Sequence, residues 1–122
     1  MSWEMAQESL EDLKVRKWGQ IKEARNDAEY GGFTLAEMTF DSDPISQSKI
    51  QGAVQLALLA PDTFTIDWTL KDNTVLTITK PVLLAVGIAL GQHVQQVYGR
   101  GRELRTQIDS ATTQGQIEAI TW

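Results

Sequence analysis

A chain of 122 residues has room for one domain and little more. Its 42% hydrophobic and 22% charged residues give an ordinary globular balance, which argues against disorder over most of the length. The net charge of −5 opposes nucleic-acid binding, and the lack of cysteine excludes disulfides, thiolate nucleophiles and Cys-ligated zinc. The most apolar run, Pro81 to Leu90, is too short for a bilayer, and the first residues lack the basic start and apolar stretch of a signal peptide. The expected compartment is the cytoplasm or a particle assembled there.

In chain order, residues 3–29 read as a helix with Ser2 as N-cap, Glu4 near the positive end of the macrodipole and Gly31-Gly32 as the stop. Trp3, Ala6, Leu10, Leu13, Ile21, Ala24 and Ala28 fall near one stripe, interrupted at Lys17, with Val15 and Trp18 off it. So polar a helix has a narrow face to bury, and its first half is expected to project. Phe33 to Phe40 reads as a small hairpin turning at Ala36-Glu37, although neither residue favours turns. Asp43 is the expected N-cap, with Pro44 at the first position, of a second helix over about 44–60. Ile50, Ala53, Val54, Ala57 and Leu58 make its apolar face, and Gly52 suggests a close backbone approach.

Phe64, Ile66 and Trp68 alternate with Thr65, Asp67 and Thr69, the cleanest period-two segment in the chain. Lys71 to Thr74 is a turn and Val75 to Thr79 the returning strand, with Leu76 and Ile78 expected in the core beside Trp68. A last long helix follows from 80 to about 110, capped by Thr79. Leu83, Val86, Leu90, Val94, Val97, Leu104 and Ile108 recur at three and four, close to a heptad seam. Its first half is apolar on several faces and is expected to be buried, whereas its second half carries Arg100, Arg102, Glu103 and Arg105. Gly99 and Gly101 mark a bend or a tight contact. Ala111 to Gly115 reads as a polar linker before the apolar terminus Ile117, Ala119, Ile120 and Trp122. The fold class expected is α+β: a small antiparallel sheet of two hairpins packed with long N- and C-terminal helices and one middle helix.

Little here points to catalysis. Gly87 and Gly91 lack the lysine-serine or lysine-threonine of a phosphate loop. Gly99-Arg100-Gly101-Arg102 fits a solvated helix face better than a nucleic-acid stripe. His93 has no metal-binding neighbours in sequence and reads as structural. Asp41 and Asp43 precede Pro44 and read as turn and cap rather than as a catalytic pair. No catalytic, cofactor-binding or metal residue is assigned. The four tryptophans carry more information, because this residue is enriched among interface anchors. Trp3 and Trp122 either dock onto a partner or fold back onto the domain, and the residues alone leave both open.

The stretch from Ile21-Lys22-Glu23-Ala24-Arg25-Asn26 to Gly31-Gly32-Phe33, then Phe40-Asp41-Ser42-Asp43, then Ile50-Gln51-Gly52-Ala53-Val54, resembles a known family. So do Ile66-Asp67-Trp68-Thr69-Leu70-Lys71-Asp72-Asn73 and Ile117-Glu118-Ala119-Ile120-Thr121-Trp122. The family is a domain of formally unassigned function encoded among the tail genes of tailed bacteriophages and prophages, often beside tail-fibre genes. The resemblance covers about 18–122 and leaves 1–17 as an N-terminal helical extension, a candidate attachment segment. It carries no catalytic motif. It implies a non-enzymatic structural component of the tail, associated with the tail fibre or baseplate. The alternative is a tail-fibre assembly chaperone not retained in the virion. The expected location is thus the virion, or the host cytoplasm during assembly. The expected partners are tail-fibre or baseplate proteins and further copies of the chain, a trimer being the state that suits a fibre, with no nucleic acid, membrane or cofactor. The candidate protein-interaction residues are Trp3, Leu10, Leu13, Trp18, Val97, Leu104, Ile108 and Trp122.

Overall fold

The computed structural model describes residues 8–122. The Ser2 cap, Trp3 and Ala6 lie outside them. The elements are α1 (Leu10–Tyr30), β1 (Phe33–Leu35), β2 (Met38–Phe40), α2 (Pro44–Leu59), β3 (Thr65–Thr69), β4 (Val75–Thr79), α3 (Lys80–Ser110) and α4 (Gln114–Glu118). The class is α+β, as the patterning indicates. The strands form two separate antiparallel ribbons, β1–β2 and β3–β4. They are joined where the Lys71 N–H donates to the Thr39 carbonyl, 3.0 Å.

One helix running unbroken from residue 3 is not what forms. Glu8 and Ser9 are non-helical, and the Ser9 hydroxyl accepts from the Asp12 N–H at 3.1 Å, so Ser9 satisfies a free donor of the first turn and starts α1 at Leu10. The chain divides into two compact units: the described residues up to Asn26 together with Tyr98–Trp122, and Asp27–Val97. The expected boundary between 17 and 18 falls inside α1.

In the first unit, Ile21 buries itself with Leu104, Ile108 and Ile120, flanked by Trp18 and Trp122. Leu13 does so with Ala111 and Ile117, beside Leu10. Lys17, which interrupts the apolar stripe of α1, and its neighbour one turn back, Lys14, also hold this unit together. Lys14 Nζ donates to the Asp109 carbonyl (3.1 Å) at the C-terminal end of α3, where a cation is favoured, and Lys17 Nζ donates to the Ile120 carbonyl (3.0 Å). The Trp18 ring takes the Arg105 guanidinium at 4.8 Å and that of Arg25 at 6.0 Å. α3 runs through both glycines as a 31-residue helix. A Cβ on Gly101 would lie 3.4 Å from Arg25 Cδ, so this glycine marks a tight contact and not a bend. The polar linker is shorter than expected. Thr113 caps α4 by accepting from the Gln116 N–H, as the Thr113…Gln116 spacing encodes, and Gln116 Oε1 reaches one residue past the cap to accept from the Thr112 N–H at 2.7 Å.

In the second unit, Phe33, Phe40, Ile50, Ala53, Ala57, Ile78, Leu83, Val86 and Leu90 form the core, with Phe64, Ile66 and Trp68 half-buried against it. Leu76, paired with Trp68 across the second ribbon, is 40% exposed and stands outside that core, because a two-stranded ribbon has no third strand to cover it. The tight first turn holds Ala36 at φ 53°. In the second, Asn73 takes φ 69° and the Asp72 carboxylate accepts from the Thr74 N–H (2.9 Å) and hydroxyl (2.6 Å).

A buried polar knot ties the end of α1 to the first ribbon and to α2. The fully buried Ser42 hydroxyl donates to the Glu29 carbonyl (2.6 Å) and accepts from the Gly32 N–H (2.8 Å). Gln47 Nε2 donates to the Ser42 carbonyl (2.9 Å) and to Glu29 Oε2 (3.2 Å). His93 Nε2 donates to the Ala28 (3.0 Å) and Glu29 (3.1 Å) carbonyls while its ring stacks on Phe33. His93 is thereby a structural cap on the last carbonyls of α1. At the start of α2 the Asp43 carboxylate accepts from the Ser46 N–H (3.3 Å) and hydroxyl.

Ser42→Ala strands two partners of one buried hydroxyl and should cost about 1–3 kcal/mol in urea denaturation. Asp43 is held below its ordinary 3.8 chiefly by the Ser46 hydroxyl, and Asp72 by that of Thr74. Both therefore contribute stability present above the unfolded value and lost as pH falls through the lower folded value. Asp43→Asn keeps a capping acceptor without the titration, so its melting temperature should drop less than that of the wild type between neutral pH and pH below 3.8.

Candidate interaction surface

α2 and α3 each bury one face, with Ile50, Ala53 and Ala57 on the first and Leu83, Val86 and Leu90 on the second. Both helices are apolar beyond that face. Val54 and Leu58, four residues apart, continue the surface of α2 outward, and Leu84, Ile88 and Gly91 do the same on α3. The result is an open groove of about 640 Å³, floored by Ile50 and Leu90 and edged by Gln47, Gln51 and Gln55. None of its lining side chains is ionisable. A groove with such walls excludes water around apolar groups and has no group that moves protons.

Three expectations change here. Leu58 was expected on the buried face of its helix but is 61% exposed, and the first half of α3 was expected to be buried but leaves Ile88 64% exposed. At roughly 100° per residue Leu58 lies about one step round α2 from Ile50, Ala53 and Ala57, and Ile88 lies nearly opposite Leu83, Val86 and Leu90 on α3. The close approach expected at Gly52 occurs elsewhere, since a Cβ there would meet nothing within 4 Å. It is Gly87 that brings α3 against α2: a Cβ on it would lie 2.8 Å from Val54 Cγ2. Gly91, one turn on, opens into the groove and a Cβ there meets nothing within 4 Å. The apolar excess of 82–90 was the signal for this surface, but periodicity does not say which of several apolar faces lacks a neighbour.

The eight interaction candidates lie elsewhere. Leu13, Val97, Leu104 and Ile108 are buried, and Trp18 and Trp122 are half-buried on the Ile21–Leu104–Ile108–Ile120 cluster. Leu10 packs beside Leu13, and Trp3 lies outside the described residues. Trp122 folds back under the Arg100 guanidinium, 5.1 Å from its ring, and Arg100 Nη2 donates to its carbonyl. The apolar surface of these described residues is largely taken up within the chain. The carboxylates also stay apart. Asp41 faces Lys71 at 3.7 Å, Asp67 accepts from the Thr77 hydroxyl at 2.6 Å, and Asp109 accepts from Arg105 Nε at 3.3 Å. Among the described residues no three of His, Cys, Asp and Glu gather as a metal site, and no helix is long and apolar enough to cross a membrane.

The model of a domain of unknown function, DUF4376, matches residues 12–121. The chain belongs to this family. The DUF4376 match takes in α2, α3 and all of the groove, and it begins within the first turns of α1. No curated protein matches the chain, and no solved structure does.

The two groove glycines of this DUF4376 domain should respond in opposite senses. Gly87→Ala gains about 1 kcal/mol of helix propensity but overpacks Val54 at a cost of about 1–3 kcal/mol, so it should lower the denaturation midpoint. Gly91→Ala meets open space and should raise stability by up to about 1 kcal/mol.

Proposed function

We propose that this chain is a non-enzymatic structural component of a bacteriophage tail, associated with the tail fibre or baseplate, and that it acts by docking to other proteins through the groove between α2 and α3. The observation that carries the docking reading is the groove itself, a cavity of about 640 Å³ with uncharged walls and with Leu58 and Ile88 exposed on either side. Contiguous apolar surface left open on a soluble chain marks an interaction site more often than scattered apolar residues do. The tail context rests on the ordered motifs between Ile21 and Trp122. The expected location is the virion.

Mass spectrometry of purified particles from the phage or induced prophage that encodes the chain should find it in stoichiometric ratio to a fibre or baseplate protein. Ile88→Asp places a charge in the groove and should reduce its incorporation about tenfold or more without unfolding the domain. Absence of the wild-type chain from particles whose fibres fail to assemble without it would instead assign it to fibre assembly as a chaperone.

A further inference from the structure

Resting on the reading of the groove as a docking surface, we propose that its occupant is the same groove of a second copy of this chain, related by a two-fold axis.

The first argument is the continuity of the apolar patch. Leu58 and Ile88 are 61% and 64% exposed. With the partly exposed Val54, Leu84 and Val94 they line one groove, which the scattered apolar residues of a monomer do not explain. A homodimer interface has an apolar centre within a polar rim, and the groove with Gln51 and Gln55 at its edge has that arrangement. The second argument is charge. The chain carries a net −5, so two copies repel unless they meet where acidic residues are absent. α2 contains no Asp or Glu, and α3 has none before Glu103. A cationic or anionic partner would find no counter-charge among the groove linings, whereas an identical uncharged surface meets no penalty there.

The third argument is the edge. Gln51 and Gln55 are exposed, and each amide carries both donors and an acceptor. An amide row can hydrogen-bond to its own two-fold mate, which a row of like charges cannot do. Gly91 leaves room for a partner side chain in the groove, because nothing lies within 4 Å of where its Cβ would be. An isologous pair uses the same groove twice and needs no second complementary patch, so it is two-fold and not the trimer that a fibre shaft would suit.

Sedimentation equilibrium of the full chain, over a concentration series, tests this. The wild type should be a dimer, and Ile88→Glu and Leu58→Glu should each raise the dissociation constant about a hundredfold or more, with unchanged circular dichroism. Val15→Glu, at an exposed position of α1 outside the groove, should remain dimeric. A wild type that is monomeric throughout overturns the proposal, as do two folded groove variants that stay dimeric. Should one variant fail to fold, the other decides. The two readings fail separately. A monomeric wild type whose groove variants are still lost from particles removes the second copy and keeps tail docking. A dimer broken by the same variants, with normal incorporation into particles, keeps the second copy and removes docking to the tail through this groove.

Discussion

The Ser42 hydroxyl is the point on which the Asp27–Val97 unit turns. It is fully buried and makes two backbone bonds, one to the Glu29 carbonyl at the end of α1 and one from the Gly32 N–H at the entrance to β1. The last carbonyls of a helix have no intrahelical partners, and burying them unpaired is costly. Ser42 and His93 supply donors from two different elements, 13 and 64 residues beyond Glu29. With those carbonyls satisfied, the glycine pair Gly31-Gly32 turns the chain sharply and Phe33 reaches Phe40 at 5.3 Å between ring centres. The first ribbon, the cap of α2 at Asp43 and the Phe33 side of the core all follow from that closure.

α2 and α3 show how one helix pair can form a core and still leave an apolar groove open. Their inner faces are shared with both ribbons, so Ile50, Ala53, Ala57, Leu83, Val86 and Leu90 are spent on stability. Gly87 allows close packing on Val54, which narrows the floor, and the helices then leave an open apolar groove above it. Two-stranded ribbons are too narrow to cover that side. The open surface is therefore a consequence of the architecture as much as of the residues that line it.

α1 reverses an intuition about polar helices. Its apolar stripe is thin, yet Leu13 and Ile21 are buried against Ala111, Ile117, Leu104, Ile108 and Ile120, and Lys14 and Lys17 turn their ammonium groups to carbonyls at the far end of the chain. Lys17, which looks like an interruption in a hydrophobic pattern, thus satisfies a backbone carbonyl, and Lys14 caps α3. Arg25, Arg100 and Arg105 behave similarly, lying over Tyr98, Trp122 and Trp18. Trp122, whose docking or folding back the residues left open, and Trp18, a candidate interaction residue, are half covered by this chain's own arginines and isoleucines.

Much of the fold was legible in the residues, because local physics writes it there. Period-two alternation marked β3, Asp72-Asn73 its turn, Asp43-Pro44 the start of α2, and a three-four repeat the whole of α3. The Ser9 cap and the Thr113…Gln116 cap were equally local and were overshadowed by apolar patterns running across them. The groove was only half legible: its apolar residues were visible, their exposure was not. A sequence determines which faces are apolar and where helices start and stop, since those depend on neighbours within a few residues. Which apolar face is covered, which glycine touches another helix, and whether a lysine caps or is solvated depend on atoms tens of residues away. Those choices at Leu58, Gly87, Ile88, Lys14 and Lys17 were made by the tertiary structure alone, because covering a face requires a neighbour and only the packed chain supplies one.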